Sequence, residues 1–171
     1  MRPLPLRPGP APARTRSGVV ATAPSATGID GHVGWGRFTV FAIPIVPVYV
    51  TGDANAEVMA QVRDALVKAG YKPTTGAPGK GKVLTCHVEK ISYNNYTWLF
   101  PIVPTWGSIT LRTNLSSGGN VLWSHQSSGS GSTFNFFDGY TSANSKAMTE
   151  ALNDMVTAFA GDDFNAALTR R

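Results

Sequence analysis

Apolar positions along this chain recur with two different periods, and the changes of period divide it into elements. From Val33 to Val50 the residues VGWGRFTVFAIPIVPVYV are rich in aromatic and β-branched side chains, which suits a strand. Pro44 and Pro47 lack the N–H that a ladder needs, so the regular part should end near Ile43 or lie on a sheet edge. The period then lengthens. Val58, Met59, Val62, Leu66 and Ala69 recur at three- and four-residue steps, which predicts a helix over 54–69 with one apolar stripe. Asp53 suits the N-cap, Glu57 and Lys68 match the helix dipole at either end, and Gly70 is placed to end the helix.

Beyond Gly70 the two-residue period returns. Tyr71 to Thr75 makes a short strand, and GAPGKGK is a turn. Over Lys82 to Tyr93, Leu84, Cys86 and Val88 fall on one face, and Val83, Thr85, His87, Glu89 and Ile91 on the other. Thr105 to Leu115 alternates again, with Ile109, Leu111 and Leu115 opposite Ser108, Thr110 and Arg112. The turn Ser116-Ser117-Gly118-Gly119-Asn120 leads into a returning arm from Val121 to Gln126. SSGSGS (127–132) reads as flexible, and Phe134 to Phe137 as an aromatic loop or strand end. A second helix, capped by Thr141 or Ser142, carries Met148, Ala151, Leu152, Met155, Val156 and Phe159 on its stripe. Gly161 stops it, and Asp162-Asp163 start a last short helix with contacts at Phe164 and Leu168.

The order β-α-(β)-β-β-β-α predicts an α+β fold. The expected form is a two-layer sandwich: a mainly antiparallel sheet of about four or five strands with two helices on one face. One domain is expected over 32–171, preceded by a disordered Arg/Pro-rich segment over 1–31. That segment holds six prolines, four arginines and no aromatic, too little apolar surface to offset the entropy of ordering it. No apolar stretch of signal-peptide length follows its arginines. GC-rich upstream DNA read as codons yields a tail of this kind, so a natural start downstream of it is one expectation.

Charge changes the functional picture through its location. The 171 residues carry a formal net charge of +5. Arg2, Arg7, Arg14, Arg16, Arg170 and Arg171 supply more than all of it, so the body between Ser17 and Thr169 has a formal charge of −1. A nucleic-acid-binding face needs clustered cations on the folded surface, and none is expected here.

Candidate chemistry is sparse. Cys86 and His87 are adjacent on a strand and face opposite sides, so they do not form a nucleophile–base pair. Cys86 reads as a buried, inert thiol, and His87 with Glu89 as a surface pair. His32 and His125 have no acidic or thiol neighbour at metal-ligand spacing, and Gly79-Lys-Gly-Lys82 lacks the length and hydroxyl of a phosphate loop. No catalytic residue, cofactor or metal is expected, and the chain does not read as an enzyme. The unusual feature is a near-repeat: Pro-Ile-Val-Pro at 44–47 and again at 101–104, each flanked by aromatics. One reading is a two-part apolar interaction surface made of Phe41, Ile43, Ile45, Val46, Tyr49, Trp98, Phe100, Ile102, Val103 and Trp106, joined by Phe134, Phe136 and Phe137. The other packs the two segments together, or under the helices, as irregular core.

The element order, the helix end Leu-Val-Lys-Ala-Gly70-Tyr71 and the hairpin Leu115-Ser-Ser-Gly-Gly-Asn-Val-Leu-Trp123 resemble small bacterial envelope lipoproteins of mixed α/β fold. The lipopolysaccharide-assembly lipoprotein and the YajG-like and transport-auxiliary lipoproteins are of this type. The resemblance implies a non-catalytic envelope protein, periplasmic or attached to the outer membrane, whose partner is another envelope protein or a membrane surface. The chain departs from that pattern in having neither a signal peptide nor a lipidation cysteine before Val33, and without export it would be cytoplasmic. The alternative reading is a cytoplasmic ligand- or RNA-binding α+β domain that uses an exposed sheet face and the basic arm.

Overall fold

The computed structural model describes residues 19–24, 32–38, 43–49, 54–76, 81–97, 102–135 and 139–170. Three long strands form its centre: β5 (Lys82–Thr97), β6 (Ile102–Ser117) and β7 (Asn120–Asn135). They run antiparallel as a meander. The β6–β7 turn is the expected one: Gly118 and Gly119 have φ of +56° and +85° between the paired residues Ser117 and Asn120, the left-handed conformations that a two-residue turn matching the right-handed strand twist requires.

The far edge of β5 is shared by two strands in tandem. Its first half pairs in parallel with β1 (Val19–Pro24) and its second half with β2 (His32–Phe38). Outside them lie β4 (Lys72–Thr75), parallel to β1, and β3 (Ile43–Tyr49), antiparallel to β2. The sheet is therefore mixed and has seven strands among the described residues. Helices α1 (Ala54–Lys68) and α2 (Gly139–Ala160) cover one face, and α3 (Asp162–Thr169) continues from α2 over the end of β7. The α+β two-layer architecture is as expected, with the strand number extended beyond it.

Helix α1 forms where periodicity places it. Its stripe of Val58, Met59, Val62, Ala65 and Leu66 is buried. It ends through Gly70, whose φ is +92°: the Gly70 N–H donates to Val67 O and the Tyr71 N–H to Leu66 O, a pairing that satisfies the last carbonyls. Tyr71 then turns inward, donates its hydroxyl hydrogen to Phe159 O at 3.2 Å and meets Phe164 edge-on. Phe164 also touches Trp123 of β7 at 4.8 Å and Phe159 of α2 at 4.9 Å between ring centres, so α3 is held by an aromatic cluster of these two with Tyr71. The Asp53 cap, the turn residues 77–80 and most of the arm before Val33 lie outside the described residues.

Five expectations are corrected. The stretch 33–50 is not one strand but the hairpin β2–β3. Its proline-bearing half takes the edge position, where missing N–H groups cost the sheet nothing. Residues 19–24, expected within the disordered arm, form β1. Val20 and Thr22 are buried, Arg63 of α1 donates to Thr22 Oγ1 at 2.8 Å, and that hydroxyl donates to Thr74 O at 3.0 Å. The SSGSGS segment is the middle of β7, and the returning arm runs on to Asn135. Ile91 lies on the helix side, because Glu89 is an extra residue between the pairs Val88–Leu111 and Lys90–Thr110. This bulge exchanges the faces of everything beyond it. Finally, α2 begins at Gly139, two or three residues ahead of Thr141 and Ser142.

Small residues let α2 lie close to the sheet. Ala143, Ala147 and Ala151 are buried on its inner side. A Cβ at Gly131 would stand 2.1 Å from Ala143 O, and one at Gly107 would stand 2.5 Å from Asn144 Oδ1.

Candidate interaction surface

Strand register gathers the predicted residues at one end of the sheet. A single register row crosses five strands through Pro47, Trp35, Asn94, Trp106 and Ser132. The neighbouring row runs through Val46, Gly36, Asn95, Thr105 and Thr133. The first Pro-Ile-Val-Pro segment thus lies in edge strand β3, and the second leads into β6 at the same end. Each has an irregular pairing. Ile45 is an extra residue between the pairs Val46–Gly36 and Pro44–Arg37, and the β6–β7 register shifts between Ile102 and Thr105. Proline supplies the cause, since it cannot donate to the ladder and forces a bulge or an edge.

Of the thirteen predicted residues, Ile43, Ile45, Val46, Tyr49, Ile102 and Val103 are placed by backbone pairing. Phe41, Trp98, Phe100, Phe136 and Phe137 lie outside the described residues. Trp106 and Phe134 are described in full and are exposed, at 43% and 65%. Both stand on the helix-free face as near-diagonal neighbours on β6 and β7, a separation of roughly 7–8 Å that aromatic side chains bridge. Tyr96 on β5 meets the Trp106 ring edge-on, with centroids 5.3 Å apart and planes at 85°. Periodicity overlooked Tyr96. Its signal is its position three residues beyond the Lys82–Tyr93 segment, in phase with the outward side of the bulged strand.

Beside Trp106 the helix-free face sinks into a hollow of about 390 Å³. Ser92, Asn94, Ser108, Ser130 and Ser132 line it with Trp106, over the backbone of Gly107 and Gly131. None of these side chains is ionisable. Further along the same face Glu89 and Arg112 form an ion pair at 2.5 Å, and Arg112 also donates to Gln126. Glu89, expected beside His87, is thus paired across the strands with Arg112.

The remaining reactive groups are dispersed. Cys86 is buried on the helix-covered face of β5, where Thr113 Oγ1 donates to its sulfur at 3.6 Å and burial pushes the thiol up to about 11. His125 Nε2 lies 2.9 Å from Asp154 Oδ2 of α2, with the Trp123 ring stacked on the imidazole at 5.8 Å. The sequence separation of 29 residues hid this pair. Among the described residues no three His, Cys, Asp or Glu side chains converge on a metal position, and no helix is long and apolar enough to cross a membrane.

No protein-family profile and no curated protein matches the chain. Among solved structures it is similar to a Xanthomonas campestris protein of the DUF330 family. The identity is 14%, the similarity covers 85% of this chain and 92% of the other, and the TM-score is 0.43. It is also similar to a minor lipoprotein of Acinetobacter baumannii at 9% identity, covering 78% and 90% of the two chains with a TM-score of 0.40. A third structure, of an uncharacterized protein, is 12% identical over 88% of each chain at a TM-score of 0.32. At these values the chain is assigned to no family.

Proposed function

We propose that this chain is a non-enzymatic contact module of the cell envelope that docks the aromatic end of its sheet on an envelope protein or a membrane surface. One observation carries the reading: Trp106 and Phe134 are exposed together on the face without helices, at the end where register also places both Pro-Ile-Val-Pro segments. Exposed aromatics with proline and β-branched neighbours suit an interface, because they bury large apolar area with few rotamers to freeze. The envelope setting comes from the helix end at Gly70-Tyr71 and the Gly118-Gly119 hairpin, which carry the resemblance to envelope lipoproteins and form here as expected.

The test is a full-length double variant, Trp106→Ser with Phe134→Ser, followed in fractionated cells and by flotation with phosphatidylglycerol-containing vesicles. Both positions are exposed, so the variant should keep its circular dichroism spectrum and lose envelope retention. Flotation of the parent chain identifies a lipid surface, and envelope retention without flotation identifies a protein. A folded double variant retained as well as the parent refutes the reading, as does a parent chain found only in the cytoplasm.

A further inference from the structure

We infer that the hollow beside Trp106 is a binding site for a neutral saccharide, a ligand different from the docking partner although both use the Trp106 indole. Its volume of about 390 Å³ falls within the roughly 300–1,000 Å³ typical of small-molecule sites. The lining narrows the chemistry. One wall is the exposed Trp106 indole, set in orientation by the edge-on Tyr96 ring. The rest is short and polar: the hydroxyls of Ser92, Ser108, Ser130 and Ser132 and the amide of Asn94, which together both donate and accept hydrogen bonds.

Competing ligand classes fit this lining poorly. Asn94 Nδ2 donates to Ser92 Oγ and Ser130 Oγ to Glu150 Oε2, each at 3.4 Å, and an acyl chain would still desolvate this polar lining, at about 1–3 kcal/mol for each group left without a partner. A phosphate or a nucleic acid would find no cation among the described residues that line the hollow. Two charged groups of α2 are engaged along the β7 edge. Glu150 Oε2 accepts from the Ser130 N–H at 2.7 Å, and Lys146 Nζ donates to Ser132 O at 3.1 Å. A pyranose ring matches what remains. Its C–H face lies against an indole, and its hydroxyls exchange hydrogen bonds with hydroxyls and an amide. No ionic contact is required.

The experiment uses the full 15N-labelled chain titrated with cellobiose, maltose and N,N′-diacetylchitobiose, with inorganic phosphate as a parallel arm. The expected result is saturable amide shifts confined to residues 92–94, 106–108 and 130–132 with at least one disaccharide, at about millimolar affinity. Trp106→Ala should weaken that binding about tenfold or more, and Asn94→Ala with Ser108→Ala several-fold. Phe134→Ser should leave it unchanged, because Phe134 does not line the hollow, whereas the Asn94/Ser108 variant should leave envelope retention unchanged; Trp106 serves both contacts, and these two variants tell them apart. If Trp106→Ala does not fold, the Asn94/Ser108 double variant reads the site alone. Absence of saturable shifts with all three disaccharides overturns the inference. So does a response to phosphate alone, or saccharide binding that survives in every folded variant of the hollow.

Discussion

Gly129 of β7 lies so close beneath α2 that a Cβ there would stand 1.9 Å from the carbonyl oxygen of Ala147 and 2.8 Å from the nitrogen of Ala151. Both obstacles are helix backbone, which has no rotamer by which to yield. Any side chain at 129 must push α2 off the sheet and part the layer that buries Met155 and Phe159. Gly129→Ala is therefore expected to cost about 3 kcal/mol, at the upper end of overpacking changes. Ser128 is exposed on the opposite face, and Ser128→Ala should change stability by no more than about 0.5 kcal/mol. Urea unfolding midpoints of the two variants measure the contrast.

Lys82 holds the end of α3. Its ammonium donates to Ala167 O at 3.0 Å, to Leu168 O at 2.7 Å and also to Arg170 O, the carbonyls that a helix end leaves without partners. Lys82→Met keeps most of the stem and removes the donor, so it should destabilise the chain by about 1–2 kcal/mol. Amide hydrogen exchange locates the effect. Protection should fall in 162–169 and persist in α1, whereas equal loss in both helices would show that Lys82 acts on the whole fold.

What could be read in advance follows the range over which each element is determined. Helix α1 carries its own stripe and glycine stop within 17 residues, Ala54 to Gly70, and α3 is equally local, so periodicity placed both. Strand β1 has no such self-sufficiency. Six residues become a strand because β4 and β5 flank them and Arg63 reaches Thr22 from 41 positions away. The second half of β7 is Ser/Gly-rich and carries no local β signal. Its extended form comes from pairing with β6 under the small-residue face of α2. At the candidate site the aromatic and proline content was visible in composition. That Ser92, Asn94, Ser108, Ser130 and Ser132 gather around Trp106 depends on the register of three strands, including a bulge that alternation does not reveal.

That bulge gives a test of register. Glu89 pairs with Arg112 in a partly exposed contact, and such pairs contribute about 0–1 kcal/mol, so Glu89→Ala should be mild. Deleting Glu89 should be tolerated as well. It removes the extra residue and makes Val88–Leu111 and Lys90–Thr110 consecutive pairs, so Ile91 and Tyr93 keep the helix side and Lys90, Ser92 and Asn94 the other. The deletion variant should keep cooperative unfolding and near-ultraviolet dichroism. Loss of both in the deletion variant, with Glu89→Ala unaffected, would show that the bulge itself is needed to hold β5 on β6.

Cys86 makes the fold sensitive to alkali. Burial raises its thiol from an ordinary 9.0 to about 11, the Thr113 hydrogen bond offsetting part of the rise. Between those values the folded chain keeps the proton while the unfolded chain releases it. The unfolded state thus binds fewer protons, and stability falls as pH rises through this window. Two units correspond to a loss of about 2–3 kcal/mol by pH 11, with no contribution from this group below about pH 8. Lysine and tyrosine titrate in the same range, so the measurement is a difference: unfolding free energy against pH for the parent chain and for Cys86→Ala. The alanine variant starts lower because it leaves a small void, and its curve should be flatter between pH 9 and 11. Thiolate absorbance at 240 nm gives an independent reading, and its appearance in the folded chain with a midpoint near 9.0 would contradict the burial argument.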